Sequence, residues 1–259
     1  MEISTYENGQ PCWVDLGVAD VPAAAEFYGA LFGWDIEIGP PEAGYYSMAM
    51  LHGAPVAALG AKQDPGPPYW TTYLATDDLD QTIERVRNSS ATIVVEPMDV
   101  MTAGRMAVIR DPGGAALSLW QAGDHYGAGR IGEPGTLCWA ELTTRAVDES
   151  LAFYSDVFGL SATNVGSNHG DYFRLHTASG AGVAGLMPMV GDMWPAELPN
   201  HWMVYFAVAD TDSSAQRCAD LGGGVCVGPA DIPNIGRFAV VNDPQGATFS
   251  LITPIPPAE

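Results

Sequence analysis

Gly104-Arg105-Met106-Ala107-Val108-Ile109-Arg110-Asp111-Pro112-Gly113-Gly114-Ala115 recurs as Gly236-Arg237-Phe238-Ala239-Val240-Val241-Asn242-Asp243-Pro244-Gln245-Gly246-Ala247. The offset is 132 residues, both from Gly104 to Gly236 and from Asp111 to Asp243. Upstream, Val95-Glu96-Pro97-Met98-Asp99 is matched by Val227-Gly228-Pro229-Ala230-Asp231 at the same offset. Each copy reads as a strand, a turn and a second strand, with the Asp-Pro pair opening a further turn. A repeat this long marks a duplicated domain, so each candidate residue can be checked against a twin.

Working outward, Cys138-Trp139-Ala140-Glu141-Leu142 matches Cys12 to Leu16, and Phe153-Tyr154…Phe158-Gly159 matches Phe27-Tyr28…Phe32-Gly33. Both comparisons give an offset of 126. Six residues are therefore inserted later in the second copy, and the loop from Val190 to Asn200, carrying Met193 and Trp194, is where they fit. That loop reads as a candidate lid. Asp20 and Asp78 precede apolar residues at helical spacing and cap two helices, with Pro22 in the first turn of one and Gly33 ending it. Short strands fill the remainder, and His52-Gly53 is a turn between two of them. Each domain thus reads as strand–helix–three strands, done twice. The domains span residues 1–121 and 137–259, joined by a glycine-rich linker over 122–136.

Composition excludes several classes. The chain of 259 residues is 47% apolar, enough for two ordinary cores, and the repeat favours two over one. It holds no apolar run of membrane-spanning length, and the first ten residues lack the pattern of a secretion signal. A formal charge of -21 disfavours nucleic acid and anionic membranes as partners. The four cysteines show no C-x-x-C spacing and read as buried free thiols of a cytoplasmic protein. No phosphate loop, dinucleotide turn, nucleophile elbow or zinc spacing occurs.

The βαβββ order, the paired Phe-Tyr…Phe-Gly helices and the two Asp-Pro-x-Gly turns resemble the vicinal oxygen chelate superfamily, which includes glyoxalase I, extradiol dioxygenases and bleomycin-resistance proteins. The likeness is closest to tandem-domain actinobacterial proteins labelled hydroxylases, among them an accessory protein of anthracycline biosynthesis that works beside a P450. It implies an α+β fold of two tandem glyoxalase-like domains. Each would be two βαβββ modules forming a cup-shaped eight-stranded sheet with helices outside. In metal-dependent members, two histidines and a glutamate inside the cup hold a divalent ion and leave positions open for substrate oxygens. Aligned on the shared motifs, those positions fall at Trp13, Thr71 and Ser118, and at Trp139, Met203 and Ser250. None is a strong ligand, so no metal and no other cofactor is expected.

Strand parity turns Asp15 and Glu141 to the same face as Trp13 and Trp139, together with Tyr73, Trp120, Tyr205 and His201. Trp70 and Trp202 turn the other way. Asp15 and Glu141 have two readings: carboxylates paired internally, with Arg105 or Arg237 as the partner, or polar handles or general bases in a cup. His201 reads as a rim histidine. The resulting expectation is a metal-free protein taking a hydrophobic, polycyclic aromatic natural product into one or both cups. Trp13, Asp15, Tyr73, Ser118, Trp120, Trp139, Glu141, Trp194, His201, Met203, Tyr205 and Ser250 are the candidate contacts. A P450 hydroxylase is the candidate protein partner, and the chain would be a monomer or homodimer. The alternatives are a cofactor-independent hydroxylase or lyase using Asp15 or Glu141 as base, and a metal enzyme with displaced ligands.

Overall fold

The computed structural model describes residues 3–62, 65–167, 170–192 and 194–255. The first domain runs β1 (Pro11–Val18), α1 (Val21–Phe32), β2 (Asp35–Ile36), β3 (Ser47–Leu51), β4 (Ala54–Ala61), β5 (Tyr69–Ala75), α2 (Leu79–Arg87), β6 (Thr92–Val100), β7 (Gly104–Arg110) and β8 (Ala116–Ala122). The second repeats this order as β9 (Leu137–Thr144), α3 (Val147–Phe158), β10 (Ser161–Asn164), β11 (Phe173–His176), β12 (Gly182–Pro188), β13 (His201–Ala207), α4 (Thr211–Asp220), β14 (Gly224–Ile232), β15 (Gly236–Asn242) and β16 (Thr248–Pro254).

The local signals act as their chemistry requires. The Asp20 side chain accepts from the Ala23 amide and that of Asp78 from the Gln81 amide, each satisfying an orphan donor of the first helical turn. Gly33 closes α1 in the left-handed region, and His52 and Gly53, both at positive φ, make the β3–β4 turn. β2 is confined to Asp35–Ile36, and Trp34 just before it packs into the core.

Each domain forms one sheet, in the order β2-β3-β4-β1-β5-β8-β7-β6 and its equivalent β10-β11-β12-β9-β13-β16-β15-β14. In each module the first strand lies parallel to the fourth, and the two modules meet antiparallel at β1–β5 or β9–β13. The sheets are open and uncurled rather than closed cups. Their β6 and β14 edges carry Pro97 and Pro229 beside irregular register, a placement that spares the ladder a missing donor.

The helices do lie on one face of each sheet, but that face is not the outside of the molecule. It is the contact between the two domains. One core joins Val14, Phe27, Tyr28, Phe32 and Trp34 from the first half of domain one to Phe206, Cys218, Phe249 and Leu251 from the second half of domain two. The other joins Leu74, Ile83, Leu117 and Leu119 to Phe153, Tyr154, Phe158 and Leu186. Neither of these two cores follows a domain boundary.

The repeated motifs complete each other across that contact. The Tyr28 hydroxyl donates to Asp243 Oδ2 at 3.1 Å, and the Tyr154 hydroxyl to Asp111 Oδ2 at 3.1 Å. Trp70 and Trp202, turned away from the other aromatics as parity requires, donate to the same tyrosine oxygens at 3.2 and 3.1 Å. Each aspartate also accepts backbone amides of its own turn, from Ala115 in one and from Gln245 and Ala247 in the other.

The cysteines need one correction. All four are free, yet only Cys12 and Cys218 are buried; Cys138 is half-buried and Cys226 exposed. Among the described residues, no helix is long and apolar enough to cross a membrane.

Candidate functional site

The face of each sheet opposite the helices carries one carboxylate at its centre. On β1, Asp15 lies one pleat from Trp13; on β9, Glu141 lies one pleat from Trp139. Tyr73, opposite Trp13 on β5, donates to Asp15 Oδ2 at 2.6 Å, and Tyr205 on β13 donates to Glu141 Oε1 at 3.0 Å. A second tyrosine reaches in from the β2–β4 side. The Tyr46 hydroxyl accepts from Trp13 Nε1 at 3.0 Å and donates to Asp15 at 3.4 Å. Its twin Tyr172 accepts from Trp139 Nε1 at 2.9 Å and bonds Glu141.

The chemistry is the same twice: an indole N–H orients a phenol, and two phenols hold one carboxylate. Arg105 and Arg237 are not the partners. They pair with Asp80 and Asp99, and with Asp212 and Asp231, on the exposed side of their strands. The geometric reason is that Arg105 and Arg237 leave their strands on the helix-bearing face, the side of Ala107 and Ala239, toward the N-termini of the preceding helices α2 and α4.

Tyr46 and Tyr172 were not singled out from the sequence. Their shared offset of 126, the same as that of the tryptophans they bond, is the signal that would have found them.

Burial moves these groups up. Desolvation pushes the Asp15 carboxyl to about 6, against the opposing hydrogen bonds from Tyr73, Thr71 and Tyr46. Glu141 shifts upward for the same reason, with Tyr172 and Tyr205 opposing. The tyrosine hydroxyls are held far above their ordinary range by burial and the neighbouring carboxylates, so they remain donors at neutral pH.

A stability consequence follows for Asp15. Its folded pKa lies above the unfolded value, so the native state retains a proton that the unfolded chain releases between about pH 3.8 and 6. Stability therefore falls as pH rises through that window. Asp15→Asn should gain on the wild type by about 1–3 kcal/mol between pH 4 and 7, as measured by urea unfolding at both values. A difference independent of pH would show that Asp15 is ionised throughout.

The remaining candidates fall as follows. Ser118 and Ser250 are buried opposite Tyr73 and Tyr205, and the Ser250 hydroxyl makes no well-aligned hydrogen bond. Met203 is half-buried opposite Glu141. His201 sits two residues nearer the sheet end, its Nδ1 against the Pro199 carbonyl at 2.8 Å, its pKa lowered by burial. Trp194 is half-buried in the loop between β12 and β13, whose Pro195 and Leu198 carbonyls accept from Arg145 at 2.7 and 2.6 Å. Met193 and His169 lie outside the described residues.

Trp120 differs from the others. Its Nε1 donates to the His125 carbonyl at 2.9 Å, and the His125 ring stands edge-on to Trp13 with centroids 4.5 Å apart. His125 belongs to the segment joining the domains, which bonds Ala103 and Cys12 as it crosses the helix-free (inner) face of domain one. His125 Nε2 is buried without a hydrogen-bond partner. Nothing in the glycine-rich composition of that segment announced this.

The donor set does not fit a bound metal. Trp13, Thr71 and Ser118, or Trp139, Met203 and Ser250, supply no imidazole or carboxylate. The one carboxylate per face is already engaged by phenols, and among the described residues no group of three His, Cys, Asp or Glu side chains converges. Two shallow, open clefts lie elsewhere, at about 510 Å³ beside Asp231, Arg237 and Thr253 and about 330 Å³ beside Asp212 and Val225.

Comparisons with known proteins agree with the duplicated architecture. The family model described as Glyoxalase/Bleomycin resistance protein/Dioxygenase superfamily matches residues 11–119 and 136–251. CFP32 of Mycobacterium tuberculosis, named provisionally as a glyoxylase, is 46% identical over 262 residues, 98% of each chain. The anthracycline biosynthesis protein DnrV of Streptomyces peucetius is 37% identical over 96% of this chain and 95% of its own. A Mn(II)-bound glyoxalase from Novosphingobium aromaticivorans shares the fold at a TM-score of 0.67 and 17% identity, over 95% of this chain and 82% of that one.

Proposed function

Because the chain belongs to the glyoxalase/bleomycin resistance protein/dioxygenase superfamily, yet among its described residues no ligand set for a metal converges on either inner face, we propose that it is a metal-free small-molecule-binding protein. Its ligand is a planar, hydrophobic aromatic compound of the natural-product type, taken up for sequestration or to support a biosynthetic hydroxylation beside a P450. The observation that carries this reading is the paired Trp–Tyr–carboxylate–Tyr array. At the two positions where a metal-binding relative needs its first ligand, each domain carries a tryptophan instead, its indole N–H fixed on a tyrosine hydroxyl. Flat aromatic surface with a few fixed hydroxyl groups suits a planar ligand bearing oxygen substituents. The likeness to an anthracycline biosynthesis protein supports the ligand class.

A second reading, cofactor-independent acid–base catalysis, has one observation in its favour. Asp15 is half-buried and titrates at about 6, within the range of a working general base.

Fluorescence titration of chelator-treated protein with anthraquinone-2-carboxamide tests the proposal. Binding should quench tryptophan emission. Either Trp13→Ala or Trp139→Ala should weaken it at least severalfold, since a lost aromatic contact is worth about 1 kcal/mol beyond its area. Affinity untouched by both substitutions would place the ligand elsewhere.

A further inference from the structure

The two inner faces are built from twin residues, but they are not equivalent. On the first, the linker segment lies across the sheet and His125 stands against Trp13, which is only 3% exposed. Among the described residues nothing covers Trp139 in the same way, and that indole is half-buried.

A second difference lies beside the tryptophans. Met48 on β3 pairs with Ala58, which pairs with Asp15; Arg174 on β11 pairs with Gly185, which pairs with Glu141. The positions are therefore twins. Met48 packs on the Trp13 cluster, whereas the Arg174 guanidinium lies 5.7 Å from the centroid of the Trp139 ring. Room for it is made by sequence. A Cβ on Gly182 would stand 2.0 Å from Arg174 Nε, and the register twin of Gly182 is Pro55.

Among the described residues, Arg174 has no acid of its own. In a chain with 31 acidic residues, only Arg174 and Arg217 among the arginines make neither an ion pair nor a side-chain hydrogen bond within the described residues. Arg217 sits in the last turn of α4, where the helix dipole favours a cation. Arg174 sits on a strand, over an indole, near enough to Tyr172 for its charge to act on that phenol, and among the described residues it forms no ion pair with Glu141. A guanidinium over an indole leaves its edge donors free for a planar anion.

Resting on the reading that a planar aromatic binds an inner face, we propose that the binding face is that of the second domain, and that its ligand is an aromatic acid. The ring system lies against Trp139 and the acidic group is held by Arg174. The first face is closed by its own linker and lacks the cation.

Paired titrations with anthraquinone-2-carboxylate and anthraquinone-2-carboxamide separate the two levels of this claim. The carboxylate should bind about tenfold more tightly, with the preference shrinking as salt is added. Arg174→Met, which installs the first domain's side chain at an exposed position, should erase the preference, so that both compounds bind with equal affinity. Arg174→Lys should keep part of it. A preference that survives Arg174→Met, or binding abolished by Trp13→Ala but not by Trp139→Ala, would overturn the assignment. Equal binding of both compounds, lost in Trp139→Ala, would remove the acid while leaving the aromatic reading intact. If neither compound binds, both readings fall together.

Discussion

Asp243→Ala should lower the stability of the whole chain by about 3–5 kcal/mol in urea unfolding, without lowering its cooperativity. Asp243 is 1% exposed and accepts from the Tyr28 hydroxyl and from the Gln245 and Ala247 amides. Removing the carboxylate leaves two buried donors and one half-buried one without an acceptor, each buried donor costing about 1–3 kcal/mol in isolation and less together once the turn relaxes. Tyr28→Phe deletes one donor and should cost less. The informative feature is where the damage spreads. Tyr28 and Asp243 belong to different domains, and the core between them takes residues from both. Unfolding should therefore remain a single transition, and residues 1–121 expressed alone should show no cooperative melt. A variant in which one domain melts early while the other persists would contradict the shared cores.

The second large effect concerns Gly185. A Cβ there would stand 1.9 Å from the Tyr172 hydroxyl and 2.9 Å from Trp139 Nε1. Both atoms are fixed by their mutual hydrogen bond, so Gly185→Ala must drive Tyr172 off the face. Glu141, 7% exposed, then loses one of its two phenol donors. The expected cost is about 1–3 kcal/mol of stability, a further rise in the Glu141 pKa, and loss of ligand binding at the second face. Ala58→Gly is the reciprocal control. Ala58 occupies the equivalent register position, and the Tyr46 contact to Asp15 is correspondingly long at 3.4 Å. That variant should shift stability by no more than the backbone cost of a strand glycine, about 0.5–1 kcal/mol. Unchanged ligand affinity in Gly185→Ala would detach the tyrosine–carboxylate array from binding.

Much of this was legible in the chain because β-strands alternate. Once Trp13 and Trp139 were placed, parity alone set Asp15, Tyr73, Glu141 and Tyr205 beside them and turned Trp70 and Trp202 away. Tyr46 and Tyr172 escaped because they enter from a hairpin whose strands are too short and irregular for a pattern to emerge. Only their offset betrays them. The pairing of Arg105 or Arg237 with the buried carboxylates failed because the register puts both arginines on the helix-bearing face, with Ala107 and Ala239, opposite the carboxylates. The docking of the two domains was not legible, since a repeat reveals similarity between segments and nothing about which faces meet. A hint was present in chemistry. Two tyrosines on apolar helix faces and two turn aspartates each needed a buried partner, and they turn out to satisfy one another. His125 was invisible because a glycine-rich linker carries no periodicity from which to read a packed residue.

The central claim is that the inner faces hold an organic ligand without a metal. Native mass spectrometry of protein purified without chelator, combined with elemental analysis of the same sample, tests it most directly. The account predicts less than a tenth of an equivalent of any transition metal, and an adduct with added anthraquinone-2-carboxylate that survives chelator treatment. About one equivalent of metal per chain, lost on chelation or in Glu141→Gln together with the adduct, would contradict it.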